Sequence, residues 1–556
     1  MTDSNTDLVF APLGGLGEIG MNAALYGFGP KGRRKWLMVD LGVAFAGPEL
    51  PGIDLVLPDL AFIERNRKDL VGLVITHAHE DHIGAVARLW PRIGCPLYAT
   101  RFAAGLLEVR RLGEDGAPKV PIHIVRPGER IDLSPFEVEM VPVAHSIPES
   151  TALAIRTPLG TVLHSGDWKI DPTPVAGWAT DEARLRAIGD EGVLALISDS
   201  TNILRDGESP SEADVAANLE NLIAEAPNRV LVTTFASNVA RMRAVALAAA
   251  RAGRHVVIAG RAMDRVSNVA RECGYLDGVP DFLPAESFAN LPRSKIVIMA
   301  TGSQGEGRAA MARIANDDHP QVRLASGDRV IFSSRPIPGN ERAINDIVNG
   351  LVRQGIEVIT DRTNLVHVSG HPRRSEVKHL YEWIRPRIAI PAHGEALHLS
   401  EHARFAREQG VAETLVVNNG DLVHLAPGVA GIIDQVDHGR LYTDGDLIVP
   451  SDDEALRERR GLSFAGIISV GVAMTAKGDL AGDPDVVISG IPQRTRDGRA
   501  MDAIIDKAVF EVLEGLPRAR RRDPDAVESA VERAVRSAVR AVWGKRPTVH
   551  VLVMEV

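Results

Sequence analysis

Short apolar runs bounded by glycine, proline or aspartate recur along the chain: WLMVDLG from Trp36, GLVITHAH from Gly72, VLALISDS from Val193, RVLVTTFAS from Arg229, HVVIAG from His255, KIVIMATGS from Lys295, RVIFSS from Arg329 and IAIPAHGE from Ile388. Runs of this length predict buried strands. Between many of them lie helical patterns such as NVARMRAVALAAARAG from Asn238. The class is therefore α/β, with largely parallel sheets in the middle. From about Ile203 to about Asp361 the strand and helix units form a self-contained series, after which the first kind of sequence resumes, so this stretch reads as an inserted domain.

After Val429 the polar stretch GRLYTDGDLIVPSDDEALRERRG predicts an extended linker or arm. A last module follows, with strands in FAGIISVGVAMTA and PDVVISG, helices near Ala500 to Leu516 and Pro524 to Val542, and the closing strand TVHVLVMEV. Ile504, Ile505, Ala508, Val509, Val512 and Leu516 form one helical stripe; Val527, Val531, Val535, Ala538 and Val542 form another, and both are expected in the core. The division expected is 1–205 and 361–430 as two parts of one domain, 206–360 inserted in it, 431–455 as linker and 456–556 as a small C-terminal α/β domain.

At 556 residues the chain is too long for one ordinary core, and its 45% hydrophobic and 24% charged residues leave no room for wholesale disorder. MTDSNTDLVF carries two acids and no basic segment, and no stretch has the roughly 18 apolar residues of a spanning helix, so a cytoplasmic location and no membrane partner are expected. Cys95 and Cys273 are the only cysteines, too few for a disulfide framework or a thiolate cage. Any metal must use histidine and carboxylate. The net charge of −10 weighs mildly against nucleic acid, although metals would supply local positive charge. The basic cluster Arg518, Arg520, Arg521 and Arg522 is diluted by Asp523 and Asp525 and reads as a solvated helix connection.

The strongest chemical signal is THAHEDHIG from Thr76, directly after an apolar run. In an extended loop His77 and His79 point the same way, and Asp81 and His82 follow at the turn into a helix. Four potential ligands crowd one strand end, more than a single tetrahedral ion would use while keeping an open position. Two ions fit better. His145 in VPVAHSIPES, Asp167 in TVLHSGDWK and His393 in IAIPAHGE each stand just beyond a short apolar run and could complete the sites.

The pattern H-x-H-x-D-H, a later His, a later GD and a final His resembles the metallo-β-lactamase class, over residues from about Leu8 to Leu425. The resemblance implies an αββα sandwich in which His77, His79 and His145 hold one divalent ion, Asp81, His82 and His393 hold the other, and Asp167 bridges them. Zinc is the expected metal, with manganese or magnesium as alternatives. Two such ions about 3.5 to 4 Å apart activate a water and clamp phosphodiester oxygens during in-line displacement. His164, His367 and His398 lie close in sequence to the ligands and are expected to pack or to support them.

The succession SDSTN, TFASN, TGSQGE, SRPIPGNE, SGH and PAHGE further resembles the β-CASP nucleases, and within them the ribonuclease J family. The resemblance implies an inserted β-CASP domain and single-stranded RNA as substrate, cut 5′ to 3′ from a 5′-monophosphate end, with endonuclease cuts also open. It implies a role in RNA maturation and decay, and a homodimer or homotetramer. Asp81, Asp199 and His371 are the expected catalytic residues: Asp199 orients a metal-ligating histidine, His371 protonates the leaving 3′ oxygen, and Ser369 with His371 grips the scissile phosphate. Ser237, Asn238, Ser303, Gln304 and Arg335 are expected around the RNA 5′ end. Gly307 and the run Pro372, Arg373, Arg374 depart from the usual family pattern; the two arginines could hold RNA or form a solvated turn. A hydrolase of small esters or lactams, and an RNA-binding scaffold, are the alternatives.

Overall fold

A computed structural model of the protein describes residues 6–112, 116–337 and 339–556. Met1–Asn5, at the start of the acidic leader, and Pro338 within SRPIPGNE lie outside them. The chain divides into two compact units, one of residues 1–44 and 57–440, the other of 45–56 and 441–556.

In the first unit two sheets face each other. The eight-stranded sheet runs Gly431–Gln435, Asp421–Ala426, Thr6–Gly14, Ala23–Pro30, Lys35–Val39, Leu70–Val74, Leu97–Ala99 and Ile122–Ile124. The seven-stranded sheet runs Arg130–Leu133, Phe136–Pro142, Thr151–Thr157, Gly160–His164, Ala195–Asp199, Ile388–Ala392 and Glu413–Thr414. Leu8, Phe10, Tyr26, Leu37 and Val74 from the first meet Val138, Leu153, Ile155, Ile197 and Ile390 from the second in one core. Helices Glu182–Glu191, Arg374–Ile384 and Ala396–Glu408 cover the outer face of the second sheet through Leu185, Ile188, Leu380, Ile384 and Phe405. Apolar faces on both sides explain why these strands read as continuous hydrophobic runs.

The chain leaves the seven-stranded sheet after Asp199 and builds a third sheet of six strands, all parallel: Leu283–Pro284, His255–Ala259, Ile296–Ala300, Val230–Thr233, Arg329–Phe332 and Glu357–Ile359. It then returns as Ile388–Ala392, parallel to Ala195–Asp199 with Asp199 opposite Ala392. That register sets Asp199 beside His393, although 193 intervening residues separate them in sequence. The fold is a two-sheet sandwich carrying an inserted parallel α/β domain; the apolar pattern led us to expect the insertion, and the resemblance implied the sandwich.

The stretch expected as an extended linker is folded instead. Leu441 to Asp444 pairs antiparallel with Leu447 to Pro450, and helix Glu454–Ala465 follows, capped by Asp453. Phe45–Val56 also belongs to this second unit, where Thr443 Oγ1 accepts the N–H of Leu55 at 3.0 Å. The polar composition had hidden a hairpin whose strands are only half buried. Strands Asp485–Ser489, Ile467–Met474 and Thr548–Glu555 form a three-stranded sheet under helices Met501–Gly515 and Pro524–Trp543. The helix stripes are rotated slightly from expectation: Met501, Ile505, Val509 and Leu513 are buried on one, Val527, Ala530, Val531, Val535 and Val539 on the other. Ile504, Ala508, Val512, Leu516, Ala538 and Val542 are half buried at the margins. The basic cluster is used locally: Arg521 donates to the carbonyls of Leu516 and Glu514, and Arg522 to that of Lys477.

Candidate functional site

Strands Lys35–Val39 and Leu70–Val74 run parallel, so Asp40 and the THAHEDH loop emerge side by side. Phe136–Pro142 and Gly160–His164 end toward the same edge and deliver His145 and Asp167. His393 and Asp199 come from the adjacent parallel pair described above. Positions just beyond strand ends therefore meet at one edge of the sandwich, which is why motifs so distant in sequence share a site.

All seven expected ligands fall into two groups whose ligand atoms lie within 4.8 Å of one another: His77, His79, His145 and Asp167, and Asp81, His82, Asp167 and His393. Asp167 belongs to both. A third group, Asp167, Asp199, His371 and His393, adjoins them. Asp81 and His82 open a four-residue helix, Glu80–Ile83, as the spacing led us to expect. Gly42 makes their approach possible, because a Cβ there would stand 1.7 Å from the Asp81 carbonyl oxygen.

Several features fit these residues to divalent cations. His79 Nδ1 lies 3.2 Å from His77 Nε2 and 3.0 Å from His145 Nε2, so three imidazoles converge on one small space. Burial holds all three below the ordinary imidazole pKa, His79 down to about 4, which keeps them in the neutral form that ligates metal. On the other side, burial disfavours charge on His82 and His393, yet the surrounding carboxylates, Asp167 foremost, draw both upward. His393 Nδ1 is 2.7 Å from Asp167 Oδ1, but both ring nitrogens lack an aligned hydrogen bond. Asp40, Asp167 and Asp199 are almost fully buried and, among the described residues, have only histidines as ion-pair partners, with no lysine or arginine. Buried carboxylates require a compensating cation. The imidazole and carboxylate donors suit zinc or manganese.

Supporting contacts fix which ring nitrogen is offered. His82 Nδ1 donates to Asp40 Oδ2 at 2.7 Å, while Asp40 also accepts the Thr76 N–H and hydroxyl, each at 2.8 Å. His145 Nδ1 donates to the Gly370 carbonyl at 2.7 Å. Gly370 must be glycine, since a Cβ would lie 2.5 Å from His145 Cε1. Asn22 Nδ2 donates to the Asp81 carbonyl at 3.0 Å and lies 3.0 Å from His82 Nε2. The sequence reading missed Asp40, Asn22 and Gly370. Asp40 had a signal, an acid closing the buried run WLMVD next to the strand that feeds THAH; Asn22 and Gly370 had none.

Asp199 orients a histidine, but it is His371 and not one of the seven expected ligands: Nδ1 donates to Asp199 Oδ2 at 2.8 Å, while His393 Nδ1 stays 3.9 Å from Asp199 Oδ1. Burial opposes charge on His371, but Asp199 and then Asp167 overcome it and raise its pKa. Thr201 accompanies the pair, donating its hydroxyl to Asp199 Oδ1 at 2.7 Å and to the His393 carbonyl at 3.1 Å. Ser369 Oγ accepts from Asn202 Nδ2 at 2.8 Å and from the His371 N–H at 3.3 Å, which leaves its own proton free to donate.

The outer residues divide differently. Gln304 is buried and spends both ends of its amide on the backbone, donating to the Arg335 carbonyl at 2.9 Å and accepting the Ile337 N–H at 2.8 Å. Asn238 caps helix Val239–Arg251 through the Arg241 N–H. Ser303 is buried with its carbonyl facing the Ser334 hydroxyl, whereas Ser237 and Arg335 remain partly exposed. Of the histidines flagged near the ligands, His164 meets Tyr26 Oη at 2.8 Å, and His398 Nδ1 accepts the Glu395 N–H at 3.2 Å. His367 Nδ1 is buried without a partner.

Comparison with known proteins agrees with this architecture. Residues 22–184 match the family model "Metallo-beta-lactamase superfamily", 227–351 "Ribonuclease J, beta-CASP domain", 355–417 "Zn-dependent metallo-hydrolase RNA specificity domain" and 454–556 "Ribonuclease J C-terminal domain". A crystal structure of a protein of unknown function from Enterococcus faecalis V583 shares the fold, with a TM-score of 0.54 at 18% identity over 75% of this chain and 100% of that one. Fold and matches together define a metallo-β-lactamase hydrolase of the β-CASP nuclease class. The chain is 53% identical over 550 residues to Ribonuclease J of Sinorhizobium meliloti, covering 99% of this chain and 98% of the relative. It is 35% identical over 553 residues to Ribonuclease J of Thermus thermophilus, covering 94% of each. The chain belongs to the ribonuclease J family.

Proposed function

We infer that this protein hydrolyses the phosphodiesters of single-stranded RNA at a two-metal centre, working 5′ to 3′ from a 5′-monophosphate end and leaving 5′-phosphate products. The observation that carries the reading is the set of seven ligands in two groups sharing Asp167, with the His371 and Asp199 pair beside them. His77, His79 and His145 would hold one divalent ion and Asp81, His82 and His393 a second, with Asp167 within reach of both. When bound, the ions, zinc first and manganese or magnesium as alternatives, activate water and neutralise charge on the phosphate oxygens.

The chain's own residues supply the rest. Ser369 donates its free hydroxyl proton to a non-bridging phosphate oxygen. His371, whose pKa Asp199 raises, gives a proton to the leaving 3′ oxygen. Asp40, Gly370 and Thr201 keep the ligands oriented. Ser237, Asn238, Ser303, Gln304 and Arg335 shape the surroundings of the RNA 5′ end; Gln304 does so by holding the 335–337 backbone. The proposed division is a metallo-β-lactamase domain in 1–205 and 361–430, an inserted domain in 206–360, and a C-terminal domain in 456–556 reached through 431–455, of which Gly431–Gln435 still pairs in the eight-stranded sheet. Assembly as a homodimer or homotetramer, and work in cytoplasmic RNA maturation and decay, belong to the same reading.

A time course with metal-reconstituted protein and a long, uniformly labelled RNA tests it. Mononucleotides from the earliest times, with the 5′-triphosphate form resisting, are expected. Discrete internal fragments alone would make the protein an endonuclease, and intact RNA with zinc, manganese and magnesium alike would overturn the assignment.

A further inference from the structure

Three arginines, Arg205, Arg335 and Arg373, gather next to the site. Asn202, whose amide supports Ser369 and the His371 carbonyl, forms a parallel bridge with Arg373. Arg205 follows three residues later, and its carbonyl accepts the Arg374 N–H at 2.9 Å. Arg205 and Arg373 thus flank the segment that carries His371. Arg335 reaches the same place from the end of strand Arg329–Phe332, held through its carbonyl by Gln304.

Charge in this corner is unbalanced. Arg335 Nε pairs with Asp361 at 3.1 Å, but among the described residues neither Arg205 nor Arg373 has a carboxylate within 4.0 Å. Burial, then the like charges of Arg335 and Arg373, pull the Arg205 pKa below its ordinary value, with Asp361 opposing. Arg374 makes the contrast: its Nε donates to the Ile203 carbonyl at 3.1 Å, and its guanidinium lies over the Phe405 ring, 5.2 Å from the centroid. Arg374 is used by the fold, whereas Arg373 is not. Three guanidiniums sharing one carboxylate, with Arg205 exposed and the other two half buried, leave an accessible positive corner in a chain of net charge −10, and their planar donors match an anion.

We propose that Arg205, Arg335 and Arg373 form a subsite for one backbone phosphate of the RNA other than the scissile one. The proposal rests on the ribonuclease reading and adds residues to it. Guanidiniums match phosphate by paired N–H donors and read no base, so the subsite contributes affinity and register without sequence preference. Leu204 and Ile337, both exposed beside these arginines, leave apolar surface next to the phosphate position.

The test measures RNA binding against salt concentration in full-length protein disabled by Asp81→Ala with His82→Ala, and KM and kcat in otherwise intact enzyme. Arg205→Ala and Arg373→Ala should each weaken binding by about tenfold on every sequence and reduce the salt slope by about 0.7, the value of one phosphate contact on a single strand. KM should rise more than kcat falls, and Arg205→Lys should restore part of the loss. Lys507→Ala, which removes an equal charge from an exposed helix position in the other unit, should leave the slope alone. An Arg205→Ala slope equal to that of the parent, in protein that still cleaves RNA, would overturn the subsite and spare the ribonuclease reading. Absence of both RNA binding and RNA cleavage in the parent proteins would overturn both.

Discussion

At the histidine and aspartate centre, His77 Nε2 and His145 Nε2 lie 3.2 and 3.0 Å from His79 Nδ1, a convergence of imidazole nitrogens suited to a shared cation. In the loops that follow the strands of the six-stranded sheet, Gln304 and Asn238 are as polar and as buried, yet each finds its partners in nearby backbone. The difference separates two meanings of a polar motif. Side chains that converge without internal partners are arranged for something that binds; side chains with satisfied partners shape the chain so that others can bind.

The sharpest break in that comparison comes from removing the shared carboxylate. Asp167→Ala should reduce RNA cleavage by at least about a thousandfold and lower bound metal, with the secondary structure of the fold retained by circular dichroism. Persistent activity would show that the centre does not carry the chemistry. Asp40→Asn leaves every proposed ligand in place but weakens the anchor of His82, so metal affinity should drop by about 10- to 100-fold in competition with a chromophoric chelator. Unchanged affinity would make Asp40 a purely structural residue.

A third change probes an ion-pair cluster remote from catalysis. Burial would raise the pKa of Glu139, but Arg184, at 2.6 and 2.9 Å, and Arg156, at 2.8 Å, prevail and lower it. A carboxyl whose folded pKa is depressed stabilises the fold above its unfolded value, about 4.3, and loses that contribution as pH falls through the folded value. Glu139→Gln should therefore cost about 2 kcal/mol at pH 7, with the gap to the parent closing below about pH 4 in denaturant titrations. A gap independent of pH would contradict the charge assignment. The smallest effect is expected at Gln304→Ala, about 1 kcal/mol of stability with a severalfold rise in KM, because two hydrogen bonds to the 335–337 backbone are lost. A fall in kcat with KM unchanged would instead put Gln304 at the chemistry.

The clustering of the seven residues was legible because its signal is written locally: H-x-H-x-D-H crowds one loop, and His145, Asp167 and His393 each follow an apolar run. The inserted parallel sheet was legible because strands buried on both faces read as continuous runs, whereas the sandwich was implied only by the family resemblance. What stayed hidden depends on register and on contacts at long range. Asp40 becomes a partner of His82 only through the parallel pairing of two strands, and Gly370 through a carbonyl 225 residues from His145. The roles of Gln304 and Asn238 depend on which backbone groups lie within reach, which composition does not encode. The hairpin at 441–450 was misread because half-buried strands keep a polar composition.

Anomalous diffraction from crystals grown with manganese tests the central claim most directly. The account predicts two peaks per chain about 3.5 to 4 Å apart, one among His77, His79 and His145, the other among Asp81, His82 and His393, with Asp167 between them. A single peak, or two that do not share Asp167, would contradict it.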